Sequence, residues 1–191
     1  MRQECLQEWM EHPMRLLSIS VVTLLLSSVA MAQIDPNKTY LLLSTSGTET
    51  LQEELDEATP EGFRIVATAS RGGGQVVLMK RTASKGEDFR YRVLGTTKID
   101  TMEKELNEAA AAGYCLLPGT MLRRDRTFGP PELVAFLERA SESSKRCEYR
   151  VLGTSRTGTM EEELVAVEEE GFTVIDMAQG SELAVVLERR Q

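Results

Sequence analysis

Tyr149-Arg150-Val151-Leu152-Gly153-Thr154 repeats, residue for residue, the stretch Tyr91-Arg92-Val93-Leu94-Gly95-Thr96. A looser version stands at Tyr40-Leu41-Leu42-Leu43-Ser44-Thr45. Forward from each tyrosine the same landmarks return without a gap: Thr50, Thr101 and Thr159, then Glu54, Glu105 and Glu163, then Leu55, Leu106 and Leu164. A glycine–aromatic pair follows at matching offset: Gly62-Phe63, Gly113-Tyr114 and Gly171-Phe172. Each stretch closes on an apolar run ending in a basic residue, Val76 to Arg81, Leu133 to Arg139 and Leu183 to Arg189. Self-similarity at constant spacing is the signature of tandem units. It predicts repeats over 40–81, 91–139 and 149–189.

Inside each unit the pattern predicts β-α-β-β. The opening six residues are short and rich in β-formers, as a strand is. Leu51, Leu55 and Ala58, and likewise Met102, Leu106 and Ala109, recur at helical spacing. Thr50 with Glu53, Asp100 with Glu103 and Thr159 with Glu162 have capping-box spacing and are expected to start the helices. Gly62, Gly113 and Gly171 are expected to end them, and Pro60 marks the same boundary in the first unit. A second strand follows at 64–69, 115–118 and 173–177, hairpinned to the closing apolar run. Arg71-Gly72-Gly73-Gly74 reads as the hairpin turn rather than a phosphate loop, since no lysine follows it. The second unit carries an insertion around Arg123 to Pro131, and polar linkers run from Thr82 to Arg90 and from Ala140 to Glu148.

The closing runs are apolar at successive positions: Leu133, Ala135 and Leu137 oppose Val134 and Phe136. A strand apolar on both faces is central and covered twice, yet one helix per unit covers one face. Sister units or a second chain must supply the other cover, because a unit this short is near the lower limit for folding alone. The expected fold is α+β: three tandem β-α-β-β repeats in one compact pseudo-threefold domain. Helices are expected on the outer face of antiparallel or mixed sheets, with the closing strand between the other two.

Upstream of the first unit, Arg15 precedes an apolar run from Leu16 to Val29, followed by Ala30-Met31-Ala32 and Gln33. A basic start, a short apolar core and small residues before the cut predict a signal peptide over residues 1–32, cleaved between Ala32 and Gln33. Serines and Thr23 interrupt the run, which falls short of the ~20 residues a membrane span needs. Glu4, Glu8 and Glu11 do not suit such a leader, so Met14 is the expected start. The expected location is periplasmic or secreted, with no membrane attachment once the leader is cut.

The net charge of −8 argues against nucleic acid, whose binding needs a basic footprint. The one histidine, His12, lies in the leader, so the exported chain has none. That excludes Ser-His and Cys-His nucleophile systems and histidine-ligated zinc. No cofactor or metal is expected. Glu54, Glu105 and Glu163 could form a shared acidic site or lie on solvated helix faces. Arg123, Arg124 and Arg126 form the one basic cluster, a candidate contact for an anionic or protein partner or simply a soluble hairpin. Cys115 and Cys147 either bridge or stay separate thiols; an oxidising compartment favours the bridge. Tyr40, Tyr91 and Tyr149 line a ligand pocket or belong to the core.

The unit resembles the small bacterial family called domain of unknown function 4177. The resemblance rests on Tyr91-Arg92-Val93, Leu106, Gly113-Tyr114-Cys115-Leu116-Leu117 and the run Val134 to Arg139, with parallel positions in the other two units. Phe63, Tyr114 and Phe172 stand where that family usually has tryptophan. The resemblance implies the fold and no established activity. The expectation is an exported, soluble, non-enzymatic binding or structural accessory protein that could oligomerise. The alternative is a small-ligand-binding protein or enzyme with a Glu/Arg/Tyr site at the repeat junctions.

Overall fold

The computed structural model describes residues 34–35, 37–82, 89–140 and 146–190. The expected leader, with Ala32 and Gln33, lies outside the described residues. The chain runs β1 (Tyr40–Thr45), α1 (Thr48–Ala58), β2 (Phe63–Arg71), β3 (Gly74–Arg81), β4 (Phe89–Thr96) and α2 (Ile99–Ala111). It continues through β5 (Cys115–Leu116), β6 (Leu122–Arg124), β7 (Glu132–Ala140), β8 (Cys147–Thr154), α3 (Thr157–Glu169), β9 (Thr173–Gln179) and β10 (Leu183–Arg190). The fold is α+β, with three small sheets and three helices. Strand orders are β1-β3-β2, β4-β7-β5 and β8-β10-β9, with β6 also paired to β7. The closing strand is the central one each time. Every pairing is antiparallel, so the sheets are not mixed.

The helices do not start at capping boxes. They begin at Thr48, Ile99 and Thr157, behind Gly47, Lys98 and Arg156, and none of these three gives a side-chain cap. The turn is made one step earlier. The Thr45, Thr96 and Thr154 hydroxyls accept hydrogen bonds from the N–H groups of Gly47, Lys98 and Arg156 at 3.2, 3.3 and 3.0 Å. A threonine hydroxyl bonding two residues ahead makes a local turn that competes with a distant cap. The last residue of the quoted six-residue stretch therefore sets the strand-to-helix corner.

At the other helix end the Gly113 backbone has φ 86°, a left-handed value that favours glycine. A Cβ there would press on the Arg139 stem at 3.3 Å. Arg139 reaches over that glycine to donate to the Ala112 carbonyl at 3.4 Å, and its guanidinium lies 4.9 Å from the Tyr114 ring centre. Arg81 bonds the Glu61 carbonyl and stacks on Phe63; Arg189 bonds the Glu170 carbonyl and stacks on Phe172. Each closing arginine thus satisfies an orphan carbonyl just past its helix and lies on the aromatic ring.

Sheets and helices alternate through the core. On β7, Leu133, Ala135 and Leu137 pack with Met102, Leu106 and Ala109 of α2 and with Tyr149, Val151, Ala184 and Val186 of the third sheet. The intervening Val134 and Phe136 pack with Leu51, Leu55 and Ala58 of α1 and with Val77 and Met79 of the first sheet. A smaller core joins Met160 of α3 to Val185 and Leu187 of β10. The succession is first sheet, α1, second sheet, α2, third sheet, α3. The expectation of outer helices is therefore corrected: α1 touches β1 and β4, and α2 touches β4 and β8. A doubly apolar strand needs two covers, and the preceding helix supplies the second. Fully burying each leucine, valine or phenylalanine in this way contributes about 1.5–3 kcal/mol.

Both ends of the succession stay open among the described residues. On the first sheet, Tyr40 and Leu42 are 55% and 62% exposed. On α3 only Met160 is buried.

Candidate functional site

A groove of about 590 Å³ opens where α1, β4 and α2 meet. Gln52 and Asp56 come from α1, Arg90 and Arg92 from β4, and Glu105 and Glu108 from α2, and Tyr91 and Tyr114 complete the lining. Helical spacing brings Gln52 and Asp56 to one wall, since residues four apart share a face; their side chains are hydrogen-bonded at 3.1 Å. Strand alternation turns Arg92 away from Tyr91, and its guanidinium lies 4.7 Å from the Tyr114 ring centre. Glu105 is held above the ordinary carboxylate range, first by burial and then by the neighbouring Glu108, while Lys104 opposes the shift. The groove thus brings guanidinium and carboxylate groups together.

Behind the groove lies a junction built twice. The Ile65 N–H donates to the Tyr91 hydroxyl at 3.2 Å, and the Leu116 N–H donates to the Tyr149 hydroxyl at 2.7 Å. Each tyrosine faces a glutamate across its sheet, Glu138 and Glu188, and hydrogen-bonds it; Tyr149 donates to the Glu188 Oε2 at 3.0 Å. Burial pushes both phenols well above their ordinary range. From the helix, Gln52 accepts from the Val93 N–H at 2.9 Å and donates to the Tyr91 carbonyl at 3.0 Å. At the second junction Glu103 accepts from the Val151 N–H at 2.8 Å, and Asn107 bonds both the N–H and the carbonyl of Tyr149. In both cases helix side chains satisfy the edge of the following strand, which its own sheet leaves unpaired.

The carboxylates singled out by spacing are not brought together. Glu54 sits on α1 with its Oε2 enclosed and unbonded, and burial with nearby Glu57 raises its pKa. Glu105 lines the groove, and Glu163 is exposed on α3. Of the arginines, Arg124 is largely buried, bonded to Glu132 and to the Ser46 carbonyl. Arg123 bonds Asp125 at 2.7 Å and the Gly180 carbonyl at 3.2 Å, leaving Arg126 exposed beside them. Arg123 and Arg124 thus brace the inserted segment against its neighbours.

Cys115 and Cys147 are bridged, with Cα atoms 5.9 Å apart. The bond joins β5 of the second sheet to β8 of the third. Glu188 lies beside the two sulfurs, but bonded sulfurs present no thiolate to a metal. Arg71–Gly74 forms the turn between β2 and β3, with Gly72 and Gly73 at positive φ.

Spacing did not single out Gln52 or Asn107, and it assigned Glu103 to a helix cap rather than to the Val151 N–H of the following strand. The signal was present, because Gln52 and Glu103 both stand two residues after the shared threonine. Only the layering shows that this helix face meets another strand. Compared with family models, curated proteins and solved structures, the chain has no match in any of the three. Among the described residues no helix is long and apolar enough to cross a membrane.

Proposed function

We propose that this chain is an exported, non-enzymatic accessory protein built of three tandem copies of one β-α-β-β unit and acting by binding. The observation that carries this reading is the doubled junction. Two successive stretches seat the tyrosine-bearing edge strand of the next against their own helix side chains, and their second strand gives its tyrosine an amide hydrogen bond at matching positions. The recurring strand orders support the copy number. The Cys115–Cys147 bridge supports export, since such bonds persist in oxidising compartments. The helix glutamates lie in separate layers and the closing arginines are engaged at helix ends, which favours surfaces over a reaction centre.

The test is the fate of the full chain expressed in cells. Export predicts a product beginning at Gln33 in the periplasm or medium, lighter by its two thiol hydrogens than after reduction. An uncut, reduced chain retained in the cytoplasm overturns export.

The groove favours a second reading, a site for a small polar ligand carrying both charges. Thermal shift with free amino acids and dipeptides measures it: stabilisation lost in Arg92→Ala supports this reading, and no stabilisation of the parent chain ends it.

A further inference from the structure

The two ends of the layer succession are complementary halves of the junction already built twice inside the chain. The entry half is the outer face of the first sheet. Tyr40 and Leu42 stand where Tyr91 and Val93, and Tyr149 and Val151, stand at the internal junctions. Tyr91 and Tyr149 are 3% and 1% exposed, against 55% for Tyr40. The exit half is α3 with β9. Val174 stands two residues after its aromatic, as Ile65 and Leu116 do, and those two donate their N–H groups to the internal tyrosines. Leu116 is buried, whereas Val174 is 42% exposed. Val165 is 58% exposed, at the α3 position that Asn107 uses on α2 to hold Tyr149.

Repeat arrays that stop at their ends carry polar outer faces there. Here four of the exposed large apolar side chains, Tyr40, Leu42, Val165 and Val174, fall on the two halves. Charge also matches. The strands of the first sheet contain no aspartate or glutamate, and Lys80 faces Tyr40 across the register where the other sheets place a glutamate. Helix α3 carries five glutamates and no lysine or arginine. Glu161 on that helix occupies the place of Gln52 and Glu103, which accept from the following strand. Front-to-front pairing would set Lys80 against Lys80.

We propose that a second copy of this chain is the occupant: its β1 face docks on α3 and β9 of the first, continuing the layers head to tail. The contact places Tyr40 of one copy at the Val174 N–H of the other and Leu42 against Val165. This inference rests on the three-copy reading proposed above.

The experiment is sedimentation of the exported chain across a wide concentration range, with Leu42→Glu and Val174→Glu as single variants. Both sites are exposed, and circular dichroism checks that each variant is folded. The parent chain is expected to associate with increasing concentration beyond a dimer. Each variant is expected to weaken association by about tenfold or more. An equimolar mixture of the two variants should form a one-to-one dimer that grows no further, since each retains the half the other lacks. A parent chain monomeric throughout, oligomers indifferent to both variants, or a mixture that stays monomeric would each overturn the proposal. The three-copy reading is tested separately by matched effects of Tyr91→Phe and Tyr149→Phe on stability. A monomer with matched effects overturns self-association alone, whereas unmatched effects strike the copies themselves.

Discussion

Tyr40, Tyr91 and Tyr149 hold the same place in their strands but not the same surroundings. Tyr91 and Tyr149 are buried between an amide and a carboxylate, and Tyr40 lies near Lys80 at the surface, the ammonium 5.8 Å from its ring centre. Removing a buried hydroxyl leaves an N–H and a carboxylate without their partner, which costs about 1–3 kcal/mol. Urea denaturation should therefore show Tyr91→Phe and Tyr149→Phe each destabilised by about that amount and Tyr40→Phe unchanged. Equal effects at all three positions would contradict the burial pattern. The pH dependence has a definite sign. The folded state holds these two phenolic protons more tightly than the unfolded state does. Their contribution is complete below the ordinary phenol value of about 10 and declines as pH rises past it. Alkaline unfolding should thus flatten when both tyrosines are replaced by phenylalanine. The repeated tyrosine was plain in the sequence; its hydroxyl's partners were not, since Ile65 and Leu116 belong to the preceding stretch.

Among the elements, the short strand β5 depends on others. It offers β7 two residues, Cys115 opposite Glu138 and Leu116 opposite Leu137, with β6 pairing further along, whereas β2 and β9 are long. The disulfide ties this two-residue strand to β8 and compensates for the pairing that the inserted segment displaces. The bridged positions are 32 apart in sequence, which in the chain-entropy model corresponds to roughly 3–4 kcal/mol. Cys115→Ser with Cys147→Ser should lower the urea midpoint by a matching amount and make stability insensitive to reductant. A reductant-sensitive midpoint in the double variant would refute that assignment. At this scale the sequence was legible wherever a period was involved: helix faces, closing strands and the glycine at each helix end. It misled at the helix starts. The spacing of Thr50 with Glu53 was a valid capping pattern, but Thr45 makes the turn earlier. Thr45, Thr96 and Thr154 recur too, but a recurring threonine at a strand end does not say that its hydroxyl bonds the amide two residues ahead.

Across the whole molecule, burial is graded by position in the layers. The second sheet is covered by α1 on one face and α2 on the other, and Leu133 to Leu137 are all buried. On β3 of the first sheet, Val76 and Leu78 are only half-buried. Amide exchange requires opening that exposes what is covered. Exchange should therefore be slowest along β7 and faster at Val76 and Leu78; the reverse order would mean the layers are not stacked as described. The apolar faces of the closing strands announced two covers each. They did not say which element supplies the second, because patterning records that a face is buried and not by whom. That gap produced the expectation of outer helices.

The strand β7 carries one more consequence. Because it is apolar on both sides, sliding it by one residue against its neighbours would still bury apolar side chains, so hydrophobicity alone is a poor ruler for its alignment. The ruler is polar. Glu132 at its start is anchored by Arg124, and Glu138 near its end by Tyr91, both on the side that faces α1. A slip of one residue would turn these two carboxylates into the leucine-rich layer above α2, stripped of arginine and phenol alike. The two glutamates act as notches that index the strand and leave a single alignment in which every charge keeps its partner.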